Sequence, residues 1–105
     1  MKRIVLCNEK LSRVAIHVSA SFDDGKLVIH EQDLGNAPHE VWGKDEHEAF
    51  YTLDKTDTQK LLSLLGDDGS HSLETIKAHF NGIDCCKRFG AFCDMHGISY
   101  RQYVL

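Results

Sequence analysis

Val14, Ile16, Val18, Ala20 and Phe22 alternate with Arg13, Ala15, His17, Ser19 and Ser21. Successive side chains of an extended chain point to opposite faces, so this period marks a strand buried on one side. Asp24-Gly25 follows, then a second β-rich run from Leu27 to Gln32, and the pair predicts a hairpin closed by a two-residue type I′ turn. That loop length sets Phe22 opposite Leu27 and Ala20 opposite Ile29. One more loop residue would set Phe22 against Lys26 and mix the faces. Arg3 to Cys7 is a short β-prone run expected beside the hairpin, with Asn8-Glu9-Lys10 turning the chain, and Leu34 to Pro38 reads as loop. Glu48 to Leu53, rich in aromatic and β-branched residues, is another strand. Val41-Trp42 reads as its short partner across Gly43-Lys44-Asp45.

After Asp54 the period becomes helical. Thr56 with Gln59 fits a capping box, Leu61, Leu62 and Leu65 make an apolar stripe, and Gly66 stands where a glycine closes a helix. A second helix is predicted from Ser72 to Phe80, with Leu73, Ile76 and Phe80 inward and Asn81-Gly82 ending it. A third begins after Asp84 as N-cap and reaches Met95 or His96, where Gly97 stops it. Ile98 to Leu105 reads as a closing strand. The expected fold is α+β, a mostly antiparallel sheet of about five strands with three short helices packed on one face. Leu61, Leu62, Leu65, Leu73, Ile76, Phe80, Phe89 and the Val14/Ile16/Val18 face are its predicted core, and residues 1–105 form a single domain.

Composition agrees with a self-supporting core: 105 residues at 42% hydrophobic content, with one proline, need neither disulfides nor metal to fold. Met1-Lys2-Arg3 has the charge of an export-signal head, but the apolar run from Ile4 ends at Asn8, well short of a signal core. No stretch approaches the roughly 18 to 20 apolar residues of a membrane span. The expected location is therefore the cytoplasm, where Cys7, Cys85, Cys86 and Cys93 would stay reduced.

Charge is uneven. Asp23 to Glu74 holds thirteen acids against four lysines, a balance of −9, while residues 1–22 carry +3 and residues 75–105 carry +2. A negative middle disfavours nucleic acid as a partner and favours a cationic protein surface; equally, it describes a solvated face that aids solubility.

Seven histidines raise the question of catalysis. The hairpin register puts His17 and His30 on the outer face as diagonal neighbours, roughly 7 to 8 Å apart, a spacing compatible with acid-base cleavage of RNA. An open sheet face is a poor pocket, however, and surface histidines without a special role are the plainer account. Cys93 and His96 have zinc-like spacing, yet with Cys86 and Phe89 they also form one helical stripe in which cysteine serves as a small hydrophobe. No second ligand pair accompanies them, so neither metal nor cofactor is expected. Cys85 at a helix N-terminus lacks an identifiable base, and no phosphate loop, nucleophile elbow or metalloprotease helix is present.

The run Val41-Trp42-Gly43 to Glu48-Ala49-Phe50-Tyr51-Thr52-Leu53, the Leu61-Leu62-Ser63-Leu64-Leu65-Gly66 helix and the closing Gly97-Ile98-Ser99-Tyr100 resemble the small bacterial immunity proteins of contact-dependent growth inhibition. The resemblance covers residues 40–105. It implies a protein without catalytic residues that binds the C-terminal toxin domain of a cognate effector, often a nuclease, and blocks it. The expected partner is thus a basic protein, neither nucleic acid nor membrane. The candidate contact residues are the acids Glu31, Asp33, Glu40, Asp45, Glu46, Glu48, Asp67 and Asp68, with His39 beside them and Trp42 either as an interface anchor or as a cap on the edge of the core. A small histidine-dependent nuclease and a ligand-binding regulatory domain are the alternatives.

Overall fold

The computed structural model describes residues 2–35 and 46–105. The strand partner expected at Val41-Trp42, and the candidate contacts His39, Glu40, Trp42 and Asp45, lie outside those residues. The strands are β1 (Arg3–Lys10), β2 (Val14–Asp23), β3 (Lys26–Gly35), β4 (Glu46–Thr52) and β5 (Arg101–Val104). Between β4 and β5 come α1 (Lys55–Leu64), α2 (Ser72–His79) and α3 (Cys85–Met95). The strands lie in sequence order in one sheet, each antiparallel to its neighbour. This is the α+β architecture read from the sequence.

The β2–β3 hairpin has the expected register, Phe22 opposite Leu27 and Ala20 opposite Ile29. Asp24 and Gly25 adopt φ of 50° and 78°, the left-handed pair that a type I′ turn demands and that Asp-Gly tolerates. Inward residues of the sheet, among them Val18, Ala20, Leu27, Ile29 and Leu53, pack with Leu61, Leu73, Ile76, Phe80, Phe89 and Cys93 in one core. Phe80 meets Phe89 and Phe92 edge to face, with ring centroids 5.5 and 5.6 Å apart, the geometry that aromatic quadrupoles favour. Ile16, Leu62 and Leu65 pack against this core half-buried, and Val14 stands at its margin.

Several boundaries differ from the sequence reading. β1 runs on through Asn8-Glu9-Lys10, because an irregularity between Val5 and Cys7 lets Leu6 and Cys7 both face inward, as a bulge does; the chain turns at residues 11–13 instead. β3 continues through Leu34 and Gly35, which pair with Ala15 and Val14. α1 starts one residue after Asp54, whose carboxylate accepts from the Asp57 N–H at 2.8 Å. The cap is therefore Asp54 and not Thr56. Gly66, at φ 78°, closes α1 as expected: the Asp67 N–H reaches the Leu62 carbonyl at 2.9 Å and the Gly66 N–H the Ser63 carbonyl at 3.1 Å, the Schellman pattern. Thr58 has a tertiary task, accepting from the Leu27 N–H at 3.0 Å and donating to the Leu53 carbonyl at 3.3 Å. That hydroxyl bolts α1 to the sheet where β4 ends. β5 begins only at Arg101, and its four residues are exposed. Among the described residues, no helix is long and apolar enough to cross a membrane.

Candidate functional site

On β3 the parity that turns Leu27 and Ile29 inward also turns Glu31 and Asp33 inward, opposite Val18 and Ile16 on β2 and Ala49 and His47 on β4. Burial falls along this face. Leu27 and Ile29 are buried, whereas Glu31, Asp33, Ile16 and His47 are only half-buried. The two acids thus stand where the helical layer gives out, at the end of the sheet that carries Glu46.

They hold one another. Burial foremost, then a hydrogen bond that the Asp33 carboxyl donates to Glu31 and the charge of Glu31, push the Asp33 carboxyl up to about 7. Desolvation and a like charge both disfavour the second ionisation. The Oδ1 atom of Asp33 is buried with no hydrogen-bond partner among the described residues. Glu31 also meets the Cys86 thiol. The hydrogen bond to Cys85 first, then burial and Glu31, hold that thiol well above the usual range, so Cys86 is a protonated donor and a poor nucleophile.

Beside Glu31 a cleft of about 630 Å3 opens between the sheet and α3, lined among others by Tyr51, Cys86, Gly90, Tyr100 and Gln102. Burial, with Glu31 next, pushes the Tyr51 phenol up to about 12, and burial raises Tyr100 as well. Both stay neutral. Their ring centroids are 6.2 Å apart at 55°, and the Gln102 amide donates to the Tyr51 hydroxyl at 3.4 Å.

The outer face of the same sheet end carries Glu46 and Glu48. Glu46 accepts from the Gln32 amide at 2.9 Å, and Glu48 Oε1 lies 2.6 Å from His30 Nε2. His30 stacks on Phe50 with centroids 4.5 Å apart and planes 7° from parallel. His17 pairs with Gln32 and His30 with Ser19, so the two histidines are the diagonal neighbours expected, but His30 is committed to Phe50 and Glu48. Among the described residues, no three His, Cys, Asp or Glu side chains form a metal-binding group. Cys93 is buried in the core, and His96 packs on Phe92 with centroids 4.3 Å apart.

Of the acids read from the sequence, the structure gathers Glu31, Asp33, Glu46 and Glu48 at one end of β3 and β4. Asp67 and Asp68 lie elsewhere, in the α1–α2 loop, whose Gly69 and Ser70 share a cavity with Phe22 and Gly25 at the opposite end of the sheet. There they serve the loop. Asp67 accepts from the Gly69 N–H and from the Ser72 and Thr75 hydroxyls, each at 2.8 Å, and Asp68 accepts from the Ser70 N–H at 2.8 Å. Tyr51, Tyr100 and Gln102 escaped the sequence reading, and Cys86 entered it only as part of the helical stripe with Cys93 and His96; the signal was slight, Tyr51 sharing the strand parity of Ala49 and Leu53. Comparison with protein-family models, with curated proteins and with solved structures finds no match.

Proposed function

We propose that this domain inhibits a basic protein, and that it is an immunity protein which seats on the toxin domain of a contact-dependent inhibition effector, a nuclease, and covers its nucleic-acid surface. The observation that carries the reading is the acidic end of β3 and β4. Four carboxyl groups, Glu31, Asp33, Glu46 and Glu48, stand there on two paired strands, and the sequence of residues 36–45 between them adds Glu40, Asp45 and Trp42. Carboxylates fixed on a sheet steer a cationic partner before contact and select against anionic ones. The resemblance of residues 40–105 to immunity proteins points the same way, and Trp42 supplies an aromatic of the kind that dominates interface energies.

The test is co-expression with the C-terminal domain of an effector encoded beside this chain, read as growth and as complex formation. Glu46→Lys is the cleanest charge probe, because Glu46 is exposed and its carboxylate accepts from the neutral Gln32 amide. It should slow association about tenfold at low salt and flatten the salt dependence, with the fold intact. Trp42→Ala should instead speed dissociation and cost about 2 kcal/mol or more of binding. Absence of both protection and complex eliminates the reading.

A further inference from the structure

We propose that the cleft between the sheet and α3 receives an arginine side chain of the protein partner, its guanidinium paired with Glu31 and lying against Tyr51 and Tyr100. This rests on the reading of the domain as an inhibitor of a basic protein, and gives that surface a point of attachment. The volume of about 630 Å3 falls within the roughly 300 to 1,000 Å3 of ligand pockets, enough for one long side chain and the backbone that bears it.

The charges of the cleft are unbalanced. Asp84 on its rim is already engaged by Arg88 at 3.0 Å, which leaves Glu31 and Asp94 facing a single basic lining residue, Lys87, among the described residues. Behind Glu31, the Asp33 carboxyl is pushed up to about 7, and its Oδ1 is buried without a hydrogen-bond partner among the described residues. Carboxylates and two neutral phenol rings in one cleft suit a planar, weakly hydrated cation better than a compact ammonium. Among the described residues, a divalent metal finds no group of three ligands here.

Gly90 adds an independent sign of construction. It stands inside α3, where glycine weakens a helix, and a Cβ there would come within 3.1 Å of the Tyr100 hydroxyl. Glycine at this position lets Tyr100 lie against the helix and wall the cleft.

The experiment titrates the isotopically labelled full chain with a capped Gly-Arg-Gly peptide, and with its citrulline and lysine counterparts, following amide resonances. The arginine peptide should give saturable shifts at Glu31, Tyr51, Tyr100 and Gln102, with Kd of about 1 mM for so small a ligand. Citrulline, of the same shape without the charge, should give none, and lysine should bind several-fold more weakly. Glu31→Gln should weaken binding about tenfold with the remaining spectrum native. Asp94→Asn, at an exposed position, should give a smaller loss and guards against a misfolded first variant. Absence of saturable shifts, shifts confined to the Glu46 side of the sheet, or an equal response to citrulline would overturn the proposal. Arginine amide binding as tightly as the peptide would also overturn it, making the ligand a free metabolite. A complex with the toxin domain but no peptide binding sinks the cleft alone; peptide binding without a complex sinks the inhibitor reading instead.

Discussion

Acids stand at both ends of this molecule and behave differently there. In the helical layer four of them have donors: Asp54 holds the Asp57 N–H, Asp67 the Gly69 N–H and the Ser72 and Thr75 hydroxyls of α2, Asp68 the Ser70 N–H, and Asp84 the Arg88 guanidinium. Hydrogen bonds to Ser72 and Thr75 hold Asp67 below the usual carboxylate range, and those to Ser70 and Arg88 do the same for Asp68 and Asp84. At the far end of β3 the direction reverses, and Asp33 is raised to about 7 by burial and by Glu31. The sequence counts all of them but Asp84 in one negative field. The structure divides the field into acids that serve loops and helix ends, and acids held chiefly by each other. The second group keeps a buried carboxyl oxygen with no hydrogen-bond partner among the described residues, and it is the group a cationic partner can use.

The largest effect expected on this contrast is structural. Leu61 is fully buried in the covered half, and Leu61→Ala should cost about 2 to 5 kcal/mol in denaturant unfolding. Leu62 and Ile16, half-buried, should cost less.

Next comes Asp33→Asn, whose sign is unusual for loss of a charge. The folded-state value, about 7, lies above the ordinary 3.8, so the native chain holds this proton more tightly than the unfolded one. The native state therefore gives up stability as pH climbs from about 4 to about 7, and gives up none below that window. Asparagine removes the penalty: Asp33→Asn should stabilise the protein near pH 8 by roughly 1 to 2 kcal/mol, after discounting for solvent screening, and do little near pH 4. Asp54→Ala should act in the opposite sense and cost about 1 kcal/mol through loss of the helix cap. Equal signs for the two substitutions near pH 8 would dissolve the comparison. Asp67, Asp68 and Asp84, with lowered values, contribute stability that is present above about pH 4 and lost on acidification. Glu46→Lys should be the smallest, within about 0.5 kcal/mol in stability, its effect reserved for association.

Much of this was legible in the chain. Alternation and Asp24-Gly25 set the hairpin register, and the same parity carries Glu31 and Asp33 onto the face of Leu27 and Ile29. The pattern could not say how far the helices cover that face, which depends on packing between elements distant in sequence. Tyr51, Tyr100 and Cys86 meet only because β4, α3 and the approach to β5 converge. At α1 the capping box pointed to Thr56, whereas Asp54, two residues earlier, caps the helix. Asp67 and Asp68 each precede by two residues the N–H they bind, the mark of aspartate folding its own turn. Charge counting passes over that signal.

The most direct test is a carboxyl-carbon NMR titration of the whole protein from about pH 2 to about pH 9, which reads every acid in one sample. Asp33 should titrate near 7, with Asp67, Asp68 and Asp84 below the usual carboxylate range. If Asp33 titrates with the other acids near its ordinary 3.8, the two ends do not differ, and the account of an acidic end whose acids are held chiefly by each other is contradicted.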